Sequence, residues 1–352
     1  MHRLHESTLY NALDASVVEV DDVVMTRSLS ALTPAAATWA IASTGVAYGF
    51  ATFFARRLTD AGLAPASVAF ARFGLVALVL APCLRLGRSD RRATAWGLLS
   101  GAVMSIGWIA YVDGIEQGDV ALAGVAYMTY PLFALLSLAV VFRHRLTARQ
   151  VAGGVAVLAA AAIALSADAD GAGLPASTLA APATLGFSIA VLTERLGPLN
   201  PPERLSAVAV GASLALAPFV FFLPLGEVAP TETLDWAALA GLGVGAALVP
   251  MLVYSVAAPV VGAARSSVAG ATELPTVFII GALIFGEQLT AHHVVAALLI
   301  GLAIFVTPTT RGTHVLPDRD EALPLGSPGY PTSARVTPVG SPARAGQANP
   351  VS

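Results

Sequence analysis

Ten apolar stretches run through the chain, and each needs a hydrocarbon surrounding or a helical partner. They fall near residues 35–55, 67–84, 94–112, 120–142, 149–166, 174–192, 205–224, 236–257, 263–286 and 290–307. A helix rises 1.5 Å per residue, so about 20 apolar residues cross a hydrocarbon core of about 30 Å. The fifth and tenth stretches are short, yet "VAGGVAVLAAAAIAL" and "VVAALLIGLAIFV" contain no charge. Composition agrees: 56% of the 352 residues are hydrophobic and 12% charged, roughly half the charged share of a soluble domain. Mean hydropathy is +0.74. The expected fold is an all-α integral membrane protein with ten transmembrane helices.

The ends of the chain differ from this block. Residues 1–33 are polar and mildly acidic, with "VEVDD" at Val18 to Asp22, and 311–352 are rich in Pro, Gly, Ser and Arg. Both read as cytoplasmic tails, the second too poor in apolar residues to order itself. The first 33 residues lack a basic start followed by an apolar core, so no cleavable signal peptide is expected. Every basic residue other than histidine is arginine, and their placement sets an orientation. With the N-terminus inside, cytoplasmic loops hold Arg85, Arg88, Arg91, Arg92, Arg143, Arg145, Arg149, Arg195, Arg204 and Arg265, while the opposite loops hold Arg56 and Arg57. Positive charge stays on the cytoplasmic side. The expectation is a multi-pass protein of the cell (inner) membrane with both termini cytoplasmic.

The two halves repeat one another. "TYPLFALLSLAVVFRHRLT" (Thr129 to Thr147) and "ELPTVFIIGALIFGEQLT" (Glu273 to Thr290) each have a proline before an apolar run and close on Phe-x-x-x-Leu-Thr, 143 residues apart. "PASVAFARFGLVALVLAP" (from Pro65) likewise answers "PPERLSAVAVGASLALAP" (from Pro201). The units are 34–166 and 174–307, five helices each. Because five is odd, the second enters the membrane from the other side, giving two inverted five-helix repeats, an architecture of secondary transporters. On this scheme Thr129, Tyr130 and Pro131 fall on Glu273, Leu274 and Pro275.

"FARFG" in the second helix, "YMTYP" opening the apolar run of the fourth and "ELP…FGEQLT" across the ninth resemble the EamA type of the drug/metabolite transporter superfamily over roughly Ala35 to Val306. That resemblance implies ten helices in two halves and export of a small solute. It departs at one place. Family members often carry a glutamate at the end of helix four, as Glu287 stands here in helix nine, but this chain has His144.

Glu273 is the most informative residue. Eight residues beyond Arg265, it lies about 12 Å deep, near mid-membrane. A carboxylate there costs about 2.5–3.5 kcal/mol on insertion scales, so it should face a cavity or a partner. Pro275, two residues on, removes a backbone donor and can free a carbonyl. Glu273 reads as a proton-coupling group or amine partner, or else as a protonated side chain bonding a neighbouring helix. Arg72 either snorkels to headgroups or lines the cavity and holds an anionic group. Tyr48, Trp108, Tyr111, Tyr127, Tyr130 and Tyr254 offer flat apolar bodies with polar tips, suited to an amphiphilic solute and equally to interfacial belts. Tyr127 and Tyr130 share one face near mid-membrane and fit a belt least. Trp39 and Trp236 read as belt residues. Thr129 offers an uncharged hydroxyl where the second half has Glu273. Asp113, Glu116 and Asp119 are placed in or beside a solvated turn, Glu287 and Gln288 at a cap or gate. Glycines in "GVGAA" (from Gly243), at Gly153 and Gly154, and at Gly281 read as helix-packing contacts.

Enzyme signatures are missing from the sequence. Asp21-Asp22 is the sole Asp-Asp pair and lies in a tail, and neither a His-Glu-x-x-His nor a phosphate-cradling loop nor a Gly-x-Ser-x-Gly elbow occurs. The histidines lie in tails or at helix ends, and Cys83 is the single cysteine. Neither a metal, a cofactor nor nucleic acid is expected. The leading reading is a secondary transporter of a small metabolite (amino acid or amine-like) or drug-like solute, coupled to protons or exchange, with a homodimer left open. Two rivals remain: a carrier of a nucleotide- or lipid-linked compound, which needs several basic residues in its cavity, and a non-transporting scaffold or sensor.

Overall fold

The computed structural model describes residues 32–84, 90–117, 120–165, 176–285 and 290–309. The two tails, together with Arg85, Arg88, Asp119, Glu287 and Gln288, lie outside the described residues. Among the described residues the chain is helical throughout. The first half comprises α1 (Pro34–Asp60), α2 (Pro65–Leu80), α3 (Arg91–Gln117), α4 (Val120–Tyr127), α5 (Tyr130–Val140) and α6 (Ala148–Leu165). The second comprises α7 (Ala181–Glu194), α8 (Pro201–Phe221), the single turn α9 (Leu225–Val228), α10 (Thr233–Ala240), α11 (Val249–Val261), α12 (Ala263–Gly270), α13 (Glu273–Ile280) and α14 (Ala291–Val306). A π-helical stretch, Gly241–Leu248, joins α10 to α11, and another, Gly281–Phe285, prolongs α13.

Among the described residues six helical spans, two of them interrupted by a turn, are long and apolar enough to cross a membrane: Pro65–Cys83, Arg91–Gln117, Ala123–Val140, Pro201–Phe221, Thr233–Val261 and Ala263–Ile284. Three shorter apolar helices, Ala148–Ile163, Ala181–Glu194 and Ala291–Val306, accompany them. The 27-residue α1 carries Thr38, Thr44, Thr52 and Thr59, and one face of it is buried at Ala37, Ile41, Ala51 and Ala55. The outer faces are greasy: Leu78, Phe222 and Leu283 are 80%, 83% and 80% exposed. So much bare hydrocarbon suits acyl chains as solvent.

Helix starts are written in local chemistry. Thr33 accepts from the Ala36 amide ahead of Pro34, and Asn200 with Glu203 forms a reciprocal capping box ahead of Pro201. The duplicated Phe-x-x-x-Leu-Thr ends are also starts. Thr147 pairs reciprocally with Gln150 at the head of α6, and Thr290 pairs with His293 at the head of α14. The repeated threonine therefore caps the last helix of each half.

Two expectations need correction. The stretches at 120–142 and 263–286 are not single helices: turns at Met128–Thr129 and Ala271–Thr272 break them. Pro131 has no N–H for the Tyr127 carbonyl, nor Pro275 for that of Ala271, and each ring would crowd the carbonyl four residues back. Tighter bonds replace the helical ones, Thr129 N–H to Ala126 O at 3.2 Å and Ala271 N–H to Val268 O at 3.2 Å. The second correction concerns Asp113 and Glu116, which lie within α3 because that helix runs on to Gln117.

The halves interlock. α3 packs on α7 and α8, while Thr233–Val261 packs on α1 and α2, and α5 meets α7 as α13 meets α1. At the α3–α8 crossing a Cβ on Gly101 would overlap the Val208 carbonyl, and one on Gly211 would overlap that of Leu98. Only glycine permits backbones this close, which is how membrane helices gain contact without water to drive burial.

Candidate functional site

A cavity of about 110 Å³ lies within the bundle, room for on the order of eight waters. It reaches from the broken helices toward the end of the bundle where α3 and α8 begin. Glu273, Arg72, Tyr48 and Trp108 line it, as do Tyr127, Tyr130 and Tyr254. The helix breaks create this wall: Glu273 opens α13 directly after the turn, and Tyr127 and Tyr130 flank the turn before α5.

Arg72 is 6% exposed and Glu273 also 6%. No ion pair within 4.0 Å joins them; the guanidinium instead lies 4.2 Å from the Trp108 ring centre and 5.5 Å from that of Tyr48. Its Nε and Nη1 have no protein partner. Arg72 is thus held by aromatic faces rather than by a counter-ion, and desolvation strengthens such contacts. The rings themselves are braced. Phe73 meets Trp108 edge-on at 6.3 Å, Trp108 meets Tyr111 at 5.6 Å, and Tyr127 meets Tyr130 at 6.1 Å.

Two residues singled out in the sequence do not line the cavity. Tyr111 stacks behind Tyr127 at 4.4 Å, and its hydroxyl lies 3.2 Å from that of Thr52. Thr129 turns its hydroxyl back to the Ala126 carbonyl at 2.8 Å. The helix break explains this: with the turn closed by 3₁₀-type bonds, that local carbonyl is the nearest acceptor.

Three features of the site escaped sequence reasoning. The first is Arg204, assigned to a cytoplasmic loop but lying in the first turn of α8 and lining the cavity. The Asn200-Pro201-Pro202-Glu203 start was a usable signal, since a capping box followed by Arg204 puts that arginine on a helix. The second is a set of small hydroxyls, Ser100, Ser188 and Ser255, along the same wall. Ser188 donates to the Ser100 carbonyl at 3.1 Å. The third is Gly270. A Cβ there would come within 2.6 Å of the Tyr130 hydroxyl, which itself donates to the Ser267 carbonyl at 2.8 Å. That carbonyl is free because the break turns the Ala271 amide to Val268.

Away from Arg204 the bundle is tied by the Arg57–Asp235 pair at 2.9 Å, with Asp235 buried. Thr272 donates to the Ala42 carbonyl at 2.7 Å and so fixes the second break on α1. His144 lies 3.3 Å from Glu194 at the ends of the α5 and α7 stretches. Trp39 and Trp236 are exposed, on the outside of the bundle. Among the described residues no cluster of three His, Cys, Asp or Glu side chains could hold a metal ion.

The fold has precedent. A solved structure titled "Crystal structure of protein" superposes with a TM-score of 0.57 at 18% identity, covering 78% of this chain and 96% of that one. No curated protein matches the chain. The model of the EamA-like transporter family matches twice, over residues 35–166 and 176–309, one match for each half. The chain belongs to the EamA-like transporter family.

Proposed function

We propose that this protein is a secondary transporter that moves a small metabolite or drug-like solute outward by alternating access, with Glu273 as its proton-coupling group. The ten helical stretches then make ten crossings of the cell membrane, in two inverted repeats with both termini cytoplasmic. The reciprocal packing of α3 on α7 and α8, and of Thr233–Val261 on α1 and α2, supports the inversion. The cavity faces the cytoplasm, since it runs toward the arginine-rich end where α3 and α8 begin.

One observation carries the proposal: a carboxylate buried at a helix break lines a cavity together with Arg72, and no salt bridge within 4.0 Å joins the two. An ionisable group at membrane depth is expensive, and a paired structural role would satisfy it with a cation. Tyr48, Trp108, Tyr127, Tyr130 and Tyr254 give the solute its apolar contact, while Tyr111 and Thr129 support that wall from behind. Arg204 gives the rival carrier of nucleotide-linked compounds a second basic residue, but about 110 Å³ suits a far smaller solute.

The test starts from the solute whose cellular level changes with expression of the protein. In proteoliposomes, an imposed pH gradient should drive its flux through the wild type and not through Glu273→Gln, with equal thermal stability of the two. A Gln variant that responds to the gradient as the wild type does makes Glu273 a packing residue.

A further inference from the structure

Arg204 has a job beyond holding its helix. Its guanidinium carries five N–H donors. The Nε–H is shared between the Leu196 carbonyl at 2.8 Å and that of Leu199 at 2.7 Å. One Nη1 hydrogen goes to the Ser255 carbonyl at 3.2 Å and one Nη2 hydrogen to that of Gly197 at 3.1 Å. Two N–H groups remain, one on each terminal nitrogen. All four acceptors are neutral carbonyls, and no carboxylate of the described residues pairs with Arg204. The group is therefore a cation fixed in direction, without a counter-ion, on the wall of a cavity.

The charge of the whole cavity points the same way. Its ionisable lining is Arg72, Arg204 and Glu273, with the tyrosines neutral. Two cations face one carboxylate, which leaves the site a net positive charge even when Glu273 is ionised. The rest of the wall near Arg204 is apolar or weakly polar, with Leu205, Leu192, Met251 and Ser255. Unpaired cations in such a wall are stabilised when the occupant brings the missing anion. Arg72 is less suited to reading that anion, because its unpartnered Nε and Nη1 are buried against aromatic faces, out of an occupant's reach, whereas the Arg204 fork is set in place by four carbonyls and keeps a donor on each arm.

We propose that Arg204 is the anion-reading residue of the cavity, and that the substrate presents a carboxylate to its two remaining N–H groups while its apolar body lies against the aromatic wall. This rests on the reading of the cavity as the transport site. It separates the substrate class from the amines and cationic drugs that a lone Glu273 would favour, because a cationic solute would add a third positive charge beside Arg72 and Arg204.

The experiment uses the full-length protein in detergent and four probes: phenylacetate, its neutral near-isostere 2-phenylacetamide, benzylamine and benzylphosphonate. Binding is read from thermal stabilisation across a probe titration. The wild type should bind phenylacetate roughly ten- to hundredfold more tightly than the amide, the range of a charge-assisted hydrogen-bonded contact. Benzylamine should bind worst. Arg204→Gln should remove the preference for the acid over the amide. Arg204→Lys should keep only part of it, since an ammonium lacks the fork. Loss of packing alone would weaken acid and amide together, so the ratio of the two reports the charge reading. An unchanged ratio in both variants overturns the proposal, as does a wild type without preference for phenylacetate. Arg204-dependent binding of benzylphosphonate without phenylacetate overturns the carboxylate assignment. Acid-selective binding without flux in proteoliposomes would instead refute transport and leave the anion site standing.

Discussion

The two broken helices do matching work by different chemistry. Each is interrupted just ahead of a proline, at Met128–Thr129 before Pro131 and at Ala271–Thr272 before Pro275. In the second, the residue after the turn is Glu273, which faces the cavity. In the first, the matching hydroxyl of Thr129 folds back on Ala126, and the next residue, Tyr130, reaches across to the second break. One break thus presents an ionisable group, and the other presents a tyrosine that seals a carbonyl its partner left open. A duplicated backbone device has been kept, while the side chains on it have divided the labour.

The comparison breaks most visibly if the acid is moved. Glu273→Thr should reduce gradient-driven flux in proteoliposomes to background, and adding Thr129→Glu should not restore it, because position 129 lies outside the cavity lining. Recovery in the double variant would mean that the two breaks are interchangeable. Next in size is the contact between them. Gly270→Ala pushes a methyl group into the Tyr130 hydroxyl and should cost about 1–3 kcal/mol of stability, seen as a lower melting temperature in detergent. Tyr130→Phe alone should cost about 1 kcal/mol, the loss of one buried hydrogen bond. Together they should cost less than the sum, since the phenylalanine removes the atom in the way. Strict additivity would place the strain elsewhere. The smallest effect belongs to Thr129→Val, expected within about 0.5 kcal/mol of wild type and with unaltered flux. A lost flux there would show that the hydroxyl leaves Ala126 during the cycle.

The sequence made the membrane helices and the duplication legible because both are one-dimensional signals, apolar runs and repeated words. Glu273, Arg72 and most of the tyrosines were legible for a related reason: polar groups inside apolar runs must face something other than lipid. What stayed hidden depends on direction and local geometry. Arg204 counts toward an orientation whichever way it points, so a charge tally over loops could not place it on the cavity wall. Tyr111 sits three residues from Trp108, on the same face, yet the ring of Tyr127 stacked at 4.4 Å stands next to it. Pro275 suggests a freed carbonyl four residues back, but the Ala271 carbonyl accepts from the Leu274 amide at 3.1 Å; the open carbonyl is that of Ser267, which the turn exposes and Tyr130 fills.

The interlocked packing also has a consequence for how the protein is made. α3 finds its partners α7 and α8 only in the second half, and α1 rests against α11 and α13. Synthesis from the N-terminus therefore delivers a first half whose glycine-faced surfaces, Gly101 among them, wait for neighbours still inside the ribosome. Until α8 emerges, the third helix has lipid or insertion factors against the face it later buries. The halves repeat one another, yet each leaves faces for the other to cover, so the packing is complete only after the second half has been made.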